Sequence, residues 1–273
     1  MFRQGVRTKT CDSPKTLLEF VAEVLTHETP PPPLSALELI EIGAVYVDDS
    51  RSLFAARPLK AGDPVRIHTQ PRRFTLPADL ADRITSETED TLTIEKPAGL
   101  PSAPTVDNVR ENLLSFVEDL RSQQLFLTHR LENETAGLVL LAKNASAAES
   151  IKQAFADGQM IRRYVVYLEG PIATGAKGDV QVHSCLEQRA PTSLLTEGRT
   201  TWSVEGAPLE VTYRVELEVQ KLRPKELREL LKEQRAPIVG DEMSGSQTRL
   251  TELETGKKGY ALKTIALIPK PRA

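Results

Sequence analysis

A polar loop that leads into an apolar strand carries the strongest candidate chemistry in the sequence. The loop reads His129-Arg130-Leu131-Glu132-Asn133-Glu134-Thr135-Ala136-Gly137, and the apolar run over 138–142 that follows predicts a buried strand. Loops held by rigid strands are where catalytic groups are commonly placed. A carboxylate in such a loop can act as a nucleophile or base, or it can form a structural ion pair with an arginine. The sequence leaves both interpretations open.

The composition places the chain among globular proteins. Its 273 residues carry a formal charge of -3, and 40% of them are hydrophobic, which excludes intrinsic disorder. No apolar run approaches the roughly 20 residues that span a bilayer, and the first 15 residues lack a hydrophobic signal core, so we expect a cytoplasmic protein. Cys11 and Cys185 lie far apart, and we expect neither a disulfide framework nor a zinc site; no cofactor is expected either.

The first 70 residues predict a small module. Apolar spacing predicts a helix over 16–26, which the prolines at 30–33 end. A second helix is expected from Ser35 to Ile42, with Ser35 as its N-cap and Gly43 as its end. Strands are expected at 44–47 and 64–68. Two helices and a hairpin make a compact module of about 60 residues.

Residues 71–83 read as a linker, and a second domain is expected over 84–273. Strands are predicted at 91–96, 138–142, 163–169 and 260–268, and helices at 112–120, 145–156 and 224–234. Strands outnumber helices without regular alternation. We therefore expect an α+β fold around a mixed, mainly antiparallel sheet.

The first module resembles the small RNA-binding module shared by a small-subunit ribosomal protein, tyrosyl-tRNA synthetases and many pseudouridine synthases. The likeness lies in two runs, 37–49 and 59–67. The resemblance implies RNA binding. The helical face that is basic in the family carries Glu38 and Glu41 here.

The second domain resembles the RluA-type pseudouridine synthases, whose signature loop is His-Arg-Leu-Asp-x-x-Thr-Ser/Ala-Gly followed by Leu-Leu-Ala-Lys. Three further motifs match in order. They are Lys96-Pro97-Ala98-Gly99-Leu100-Pro101, then Arg163-Tyr164-Val165-Val166 with Glu169-Gly170, and finally Pro237-Ile238-Val239-Gly240-Asp241. The resemblance implies conversion of uridine to pseudouridine in ribosomal or transfer RNA, without metal or cofactor. Nothing in the sequence demands more than a monomer.

The resemblance also assigns catalytic roles. The family's aspartate, which acts at the ribose, falls on Glu132, and the tyrosine that works near carbon five of uracil falls on Tyr164. The arginine that pairs with the carboxylate falls on Arg228. In the other interpretation, Tyr164 is a core-facing aromatic residue and Glu132 only an ion-pair partner of Arg228.

RNA contacts are implied for six further residues of the matching motifs. They are Lys96, His129, Arg130, Thr135, Arg163 and Arg223. Arg130 corresponds to the arginine that takes part in nucleotide flipping. His129 is alternatively a brace for its own loop.

The departures from the family pattern define two hypotheses. Glutamate replaces aspartate at 132, and a misplacement of about 1 Å in a catalytic site can cost a hundredfold in rate. Pro224 interrupts the family's Thr-Gly-Arg-Thr-His-Gln-Ile-Arg motif, and Leu262-Lys263-Thr264 replaces Leu-His-Ala. The first hypothesis is an RNA uridine isomerase that uses Glu132. The second is a non-catalytic RNA-binding protein of the same fold, for example in ribosome assembly.

Overall fold

The structure of the chain, a computed structural model, describes residues 5–189, 191–222, 224–252 and 258–270. These residues divide into two units. The first holds the described residues up to 74 together with 103–116. The second holds 75–102 and the described residues from 117 onward.

The first unit consists of two helices and six short strands among its described residues. In chain order they are β1 (Val6–Thr10), β2 (Lys15–Thr16), α1 (Leu17–Leu25), α2 (Ala36–Glu41), β3 (Val45–Val47), β4 (Ser50–Arg51), β5 (Pro58–Leu59) and β6 (Pro64–His68). Four of the strands form a sheet in the order β1-β6-β3-β4, and β2 pairs with β5. The helices and strands predicted for this region are confirmed.

Capping boxes start both helices of the first unit. The Ser35 hydroxyl accepts from the backbone nitrogen of Glu38, and the Glu38 carboxylate accepts from the backbone nitrogen of Ser35 at 2.8 Å. Thr16 and Glu19 make the same exchange at α1. Glu38 therefore serves its own helix, and Gly43, at a φ of 79°, follows the end of α2 as expected.

Ion pairs attach the segment 71–74 to the segment 103–116 inside the first unit. Arg72 holds Asp107 through both of its carboxylate oxygens, with contacts of 2.7 and 3.0 Å. Arg73 pairs with Glu111 at 2.7 Å. Although burial alone raises the pKa of Asp107, the hydrogen bonds from Arg72 and Thr105 bring that pKa well below its usual range.

The second unit contains the remaining described elements. They are 3-10 helices at Leu80–Arg83 and Glu242–Ser244, β7 (Ile84–Glu87), β8 (Thr91–Lys96), α3 (Leu113–Arg121, whose beginning belongs to the first unit), β9 (Phe126–Leu127), β10 (Ala136–Ala142), α4 (Ala145–Ala156), β11 (Met160–Leu168), β12 (Gly175–Lys177), β13 (Val180–Gln188), β14 (Leu194–Glu197), β15 (Thr200–Glu205), β16 (Thr212–Val219), α5 (Pro224–Glu233), β17 (Arg249–Glu252), β18 (Lys258–Gly259) and β19 (Leu262–Pro269).

One large sheet dominates the second unit. Its strands follow the order β12-β13-β16-β11-β19-β10-β8-β7, and β9 pairs with β10. Within the described ranges, β10 and β19 run parallel, whereas the other neighbouring strands of this sheet are antiparallel. The predicted α+β fold with a mixed, mainly antiparallel sheet is confirmed. A smaller sheet has the order β14-β15-β17-β18.

The parallel pair β10–β19 determines which loops meet. Ala136 lies opposite Lys263, and Gly137 lies opposite Thr264. Because the strands run in the same direction, the segments that precede them emerge at the same edge of the sheet. Gly137 allows the close approach, since a Cβ at this position would lie 2.3 Å from the Thr264 carbonyl oxygen.

Candidate active site

A cavity of about 790 Å³ in the second unit contains the carboxylate of the signature loop. This volume falls within the roughly 300–1,000 Å³ of small-molecule sites. The cavity is lined by residues of segments 130–134 and 240–244, by one face of α5, and by Tyr260. We call this cavity the Glu132 cavity.

Glu132 and Arg228 form an ion pair in the Glu132 cavity. Nη1 of Arg228 donates to Oε2 of Glu132 at 2.8 Å. The Glu132 side chain is 33% exposed, whereas that of Arg228 is only 12% exposed. No described residue donates a hydrogen bond to the other oxygen, Oε1. The carboxylate is therefore held by one oxygen, with the second available to a ligand.

Arg228 also binds a second carboxylate, Asp241. Its Nε donates to Oδ2 at 2.7 Å and its Nη2 to Oδ1 at 3.1 Å, and the Asp241 side chain is only 2% exposed. Two parallel contacts fix the plane of the guanidinium. Although burial alone lowers the pKa of Arg228, the bond to Asp241 and the negative groups nearby raise that pKa above its usual range. Arg228 is thus a fixed cation.

Tyr260 contacts the same carboxylate from a different direction. Its hydroxyl donates to Oε2 of Glu132 and accepts from Oγ1 of Thr135 at 3.2 Å. The guanidinium carbon of Arg228 lies 5.0 Å from the centre of its ring. Burial raises the pKa of Tyr260, and the charge of Glu132 raises it further, so the hydroxyl stays protonated at neutral pH.

The sheet explains why these residues meet. Glu132 precedes β10 and Tyr260 precedes β19, and these parallel strands are neighbours. The backbone nitrogen of Ala261 donates to the carbonyl of Val239 at 2.9 Å, which places Asp241 near Tyr260. Buried Leu227 and Leu231 pack α5 against the core and orient Arg228.

His129 braces the loop against β10. Its Nε2 accepts from the backbone nitrogen of Leu140 at 3.1 Å, and its ring centre lies 4.7 Å from that of Phe155. Burial lowers the pKa of His129 to about 3, so the imidazole is neutral at physiological pH. A neutral ring with enclosed nitrogens matches the bracing interpretation better than a contact with RNA phosphates.

The structure gives Lys96 and Thr135 roles inside the protein instead of the predicted RNA contacts. Both residues are fully buried. The ammonium of Lys96 donates to the carbonyls of Pro97, Leu100 and Asn133 at 2.7–3.1 Å, which ties the signature loop to the segment after β8. Thr135 supports the hydroxyl of Tyr260. Their charges and hydroxyls are not presented to a ligand.

The other predicted RNA contacts have different positions. Arg130 is exposed at the rim and lines the Glu132 cavity. Arg163 is partly exposed, and its Nε donates to Glu218 at 3.0 Å. Arg223 lies outside the described residues. RNA contact by Arg130 and Arg163 stays a prediction.

Tyr164 lies in β11, next to the site but inside the core. It is 1% exposed and packs in a cluster that includes Tyr260 and Leu262. Burial raises the pKa of its hydroxyl. Tyr164 does not line the Glu132 cavity, so a catalytic contact with a base requires the pocket to extend toward β11. Its catalytic role stays a prediction.

The sequence did not single out two residues of this site. Asp241 ends a motif that was recognised, and its burial beside an arginine could have been expected from the motif's position near α5. Tyr260 lies at the start of a predicted strand and carries no local signal. Only the parallel pairing of β10 and β19 brings Tyr260 to Glu132.

Membrane and metal sites are not found in the described parts of the chain. None of the helices there is long and apolar enough to cross a membrane. No group of three or more His, Cys, Asp or Glu side chains is arranged there to hold a metal ion.

The chain is similar to several proteins that are named as pseudouridine synthases. It is 30% identical over 143 residues to an uncharacterized RNA pseudouridine synthase of Aquifex aeolicus, covering 49% of this chain and 45% of that protein. It is 24% identical over 227 residues to the ribosomal large subunit pseudouridine synthase D of Xanthomonas campestris, covering 78% and 67%. It is 32% identical over 96 residues to the tRNA pseudouridine(31) synthase of Saccharomyces cerevisiae, covering 35% and 24%.

These alignments span from about a quarter to two thirds of the relatives' lengths. The match to the family as a whole is more extensive. The sequence pattern of the RNA pseudouridylate synthases matches residues 90–269, well over half of the chain, and this stretch includes the signature loop, β10, α5 and β19. The chain therefore belongs to the RNA pseudouridylate synthase family.

Proposed function

We propose that this chain converts uridine to pseudouridine in ribosomal or transfer RNA, with the carboxylate of Glu132 acting at the ribose. The observation that carries the proposal is the ion pair of Glu132 with Arg228 at 2.8 Å inside a cavity. The pair orients the carboxylate, and Oε1 has no donor among the described residues. A carboxylate in this state is suited to attack or to accept a proton.

The reaction is an isomerisation and needs no co-reactant. The bond between N1 and C1′ breaks, and a new bond joins C5 to C1′. C5 loses its proton and N1 gains one, so atoms and electrons balance. The carboxylate of Glu132 would lie against C1′ of the ribose while the base is detached from that carbon. The base must leave its stack before it can enter the site.

The charges that line the cavity are mixed. Its cations include Arg130, Lys225 and Lys232, and the carboxylates of Glu134, Glu229 and Glu242 line it as well. Lys225 pairs with Glu229 at 3.7 Å. The cations can attract the phosphates of a nucleic-acid substrate. The names of the relatives from Xanthomonas campestris and Saccharomyces cerevisiae support ribosomal and transfer RNA as the substrate class.

We further propose that the first unit is an RNA-docking module, in line with the RNA binding that the sequence resemblance implies for residues 1–70. Arg66 stacks over Tyr46 at 4.5 Å and pairs with the exposed carboxylate of Asp49. Lys9 is exposed on the neighbouring strand β1. In Lys9→Ala, a weaker salt dependence of RNA binding would support this proposal, since each lost phosphate contact reduces the slope by about one. An unchanged slope would contradict it.

Release of tritium from carbon five of uridine tests the isomerase proposal. The substrate is a mixture of unmodified ribosomal and transfer RNA transcripts labelled with [5-³H]uridine. Wild type should release tritium, and Glu132→Ala should release none above background.

Glu134→Ala is the matched control, because Glu134 is a carboxylate of the same loop that also lines the cavity. It should retain activity within about threefold, since it has no assigned contact with Arg228. Wild type that binds both RNAs but releases no tritium would refute the proposal and favour an RNA-binding protein. Equal loss in Glu132→Ala and Glu134→Ala would refute the role of Glu132.

A further inference from the structure

Glu132 differs from the family's aspartate by one methylene group, and the surrounding contacts match that extra length. A glutamate extends its carboxylate about 1.5 Å further from the backbone and adds a rotatable bond. Arg228 alone does not fix the orientation of the Glu132 carboxylate, because the carboxylate can still rotate about a single hydrogen bond to one of its oxygens. A second donor to the same oxygen, from Tyr260, removes this rotation.

We propose that Tyr260 is the positioning residue that adapts this site to a glutamate at position 132. The inference rests on the proposed function of Glu132. Tyr260 would act through Glu132, by fixing Oε2 between two donors so that Oε1 faces the substrate in a single orientation.

Tyr260 is itself held rigidly. It is 4% exposed and belongs to the core cluster around β11 and β16. Its ring lies against the guanidinium of Arg228, and its hydroxyl accepts from Thr135. Thr135 thus donates to Tyr260, and Tyr260 donates to Glu132, so the chain of hydroxyl groups ends on the carboxylate. A side chain fixed at three points can hold a flexible partner.

The length argument makes the contribution of Tyr260 specific to glutamate. In Glu132→Asp, the carboxylate retracts by about one carbon–carbon bond and cannot keep both Arg228 and Tyr260 within hydrogen-bond distance. The buried Arg228 and Tyr260 cannot follow it. The hydroxyl of Tyr260 should therefore matter for catalysis in the wild-type protein and not in the Glu132→Asp variant.

A double-mutant cycle with Tyr260→Phe and Glu132→Asp tests this dependence. Phenylalanine keeps the ring and its contact with Arg228 and removes only the hydroxyl. In the wild-type background, Tyr260→Phe should lower kcat for tritium release by about 10- to 100-fold, as expected for loss of a hydrogen bond to a charged group, with KM changed less than about threefold. In the Glu132→Asp background it should lower kcat by less than about threefold.

Tyr167→Phe is the matched control. Tyr167 is 4% exposed, and its hydroxyl donates to the carbonyl of Thr196 at 3.0 Å, away from the Glu132 cavity. The Tyr167→Phe variant loses one buried hydroxyl in the same unit, and its kcat and KM should equal those of the wild-type protein. Equal losses from Tyr260→Phe in both backgrounds, or a loss in Tyr167→Phe as large, would show a merely structural effect and overturn the inference.

A measurement without substrate separates this inference from the proposed function. The ζ-carbon resonance of ¹³C-labelled Tyr260, assigned with Tyr260→Phe, should shift when Glu132 is changed to Gln, because the acceptor of its hydroxyl loses its charge. No shift would overturn the inference whatever the activity. A shift in a protein that releases no tritium would refute the proposed function and, with it, a catalytic purpose for Tyr260.

Discussion

Arg228 is shared by two carboxylates, and its replacement should affect stability and activity by different amounts. In Arg228→Met, the Asp241 side chain, 2% exposed, would lose donors at 2.7 and 3.1 Å. An uncompensated buried charge costs about 3–5 kcal/mol. Glu132 is 33% exposed, so water can replace its lost donor at a cost of about 0–1 kcal/mol. We therefore expect a loss of about 3–5 kcal/mol in the free energy of unfolding.

Arg228→Lys should separate the two functions of the arginine. One ammonium cannot reproduce the fork that reaches both carboxylates. The ammonium should remain with the buried Asp241, which limits the loss of stability to about 1–3 kcal/mol. Glu132 would then lose its ion pair, and kcat should fall about a hundredfold or more.

The single tryptophan of the chain makes the stability measurement direct. Trp202 is fully buried in the second unit, so its fluorescence during urea unfolding reports on that unit. Tritium release at saturating RNA gives kcat for the variants that remain folded. The comparison needs both readouts on the same preparations.

Arg121 is the control residue, because it is an arginine that pairs with an exposed carboxylate instead of a buried one. It lies 2.7 Å from Glu87, and both side chains are more than one third exposed. Arg121→Met should cost about 0–1 kcal/mol. If Arg228→Met costs no more than Arg121→Met, the buried pair with Asp241 does not stabilise the unit as argued. If Arg228→Lys keeps full kcat, the arginine does not position Glu132.

Three further outcomes follow from single contacts. Lys96→Met should cost about 1–3 kcal/mol in urea unfolding, because the enclosed carbonyls of Pro97 and Leu100 lose the ammonium as their donor, and the salt slope of RNA binding should not change. Gly137→Ala should destabilise the second unit far more than Gly62→Ala destabilises the first, as measured by hydrogen exchange, since both have a positive φ but a Cβ meets backbone only at Gly137. The lowered pKa of Asp107 stabilises the fold fully above the ordinary aspartate pKa of about 3.9, and this stabilisation is lost progressively as pH falls from there toward the lowered pKa. Asp107→Asn should therefore weaken protection of first-unit amides at pH 7, and its difference from wild type should begin to shrink only below about pH 4. Asp49→Asn, at an 88% exposed carboxylate, should differ little from wild type at either pH.

Local signals in the sequence were sufficient to predict the five α-helices of the described residues and several of the strands. The helix predicted from Ser35 forms because Ser35 and Glu38 cap each other, and that exchange involves only neighbours in the chain. The helix over 145–156 is found at the predicted residues for the same reason, with the side chain of Asn144 accepting from Ala147. Strand β8 alternates buried and partly buried residues, as its pattern predicts.

The features that the sequence did not predict depend on contacts between residues that are far apart in the chain. The attachment of 103–116 to the first unit depends on Asp107 and Glu111, which pair with arginines more than 30 residues earlier. The resemblance implied an RNA contact for Lys96, yet its ammonium donates to three carbonyls inside the protein. A periodic pattern predicts which face of an element is buried, but it does not predict which distant loop covers a given side chain.

The two interpretations of Glu132, structural ion pair and catalytic carboxylate, can be weighed by what the fold requires. Arg228 is 12% exposed and needs a buried counter-charge, and Asp241 meets that need with two contacts while it also caps the turn at Glu242–Ser244. Glu132 adds a third contact from a side chain that is one third exposed, so it contributes little to burying the arginine. Yet Arg228 and Tyr260 both direct donors at its Oε2. The fold does not require the Glu132 carboxylate, yet two donors fix it. The better explanation is that its orientation matters, and a reaction at the ribose would need an oriented carboxylate.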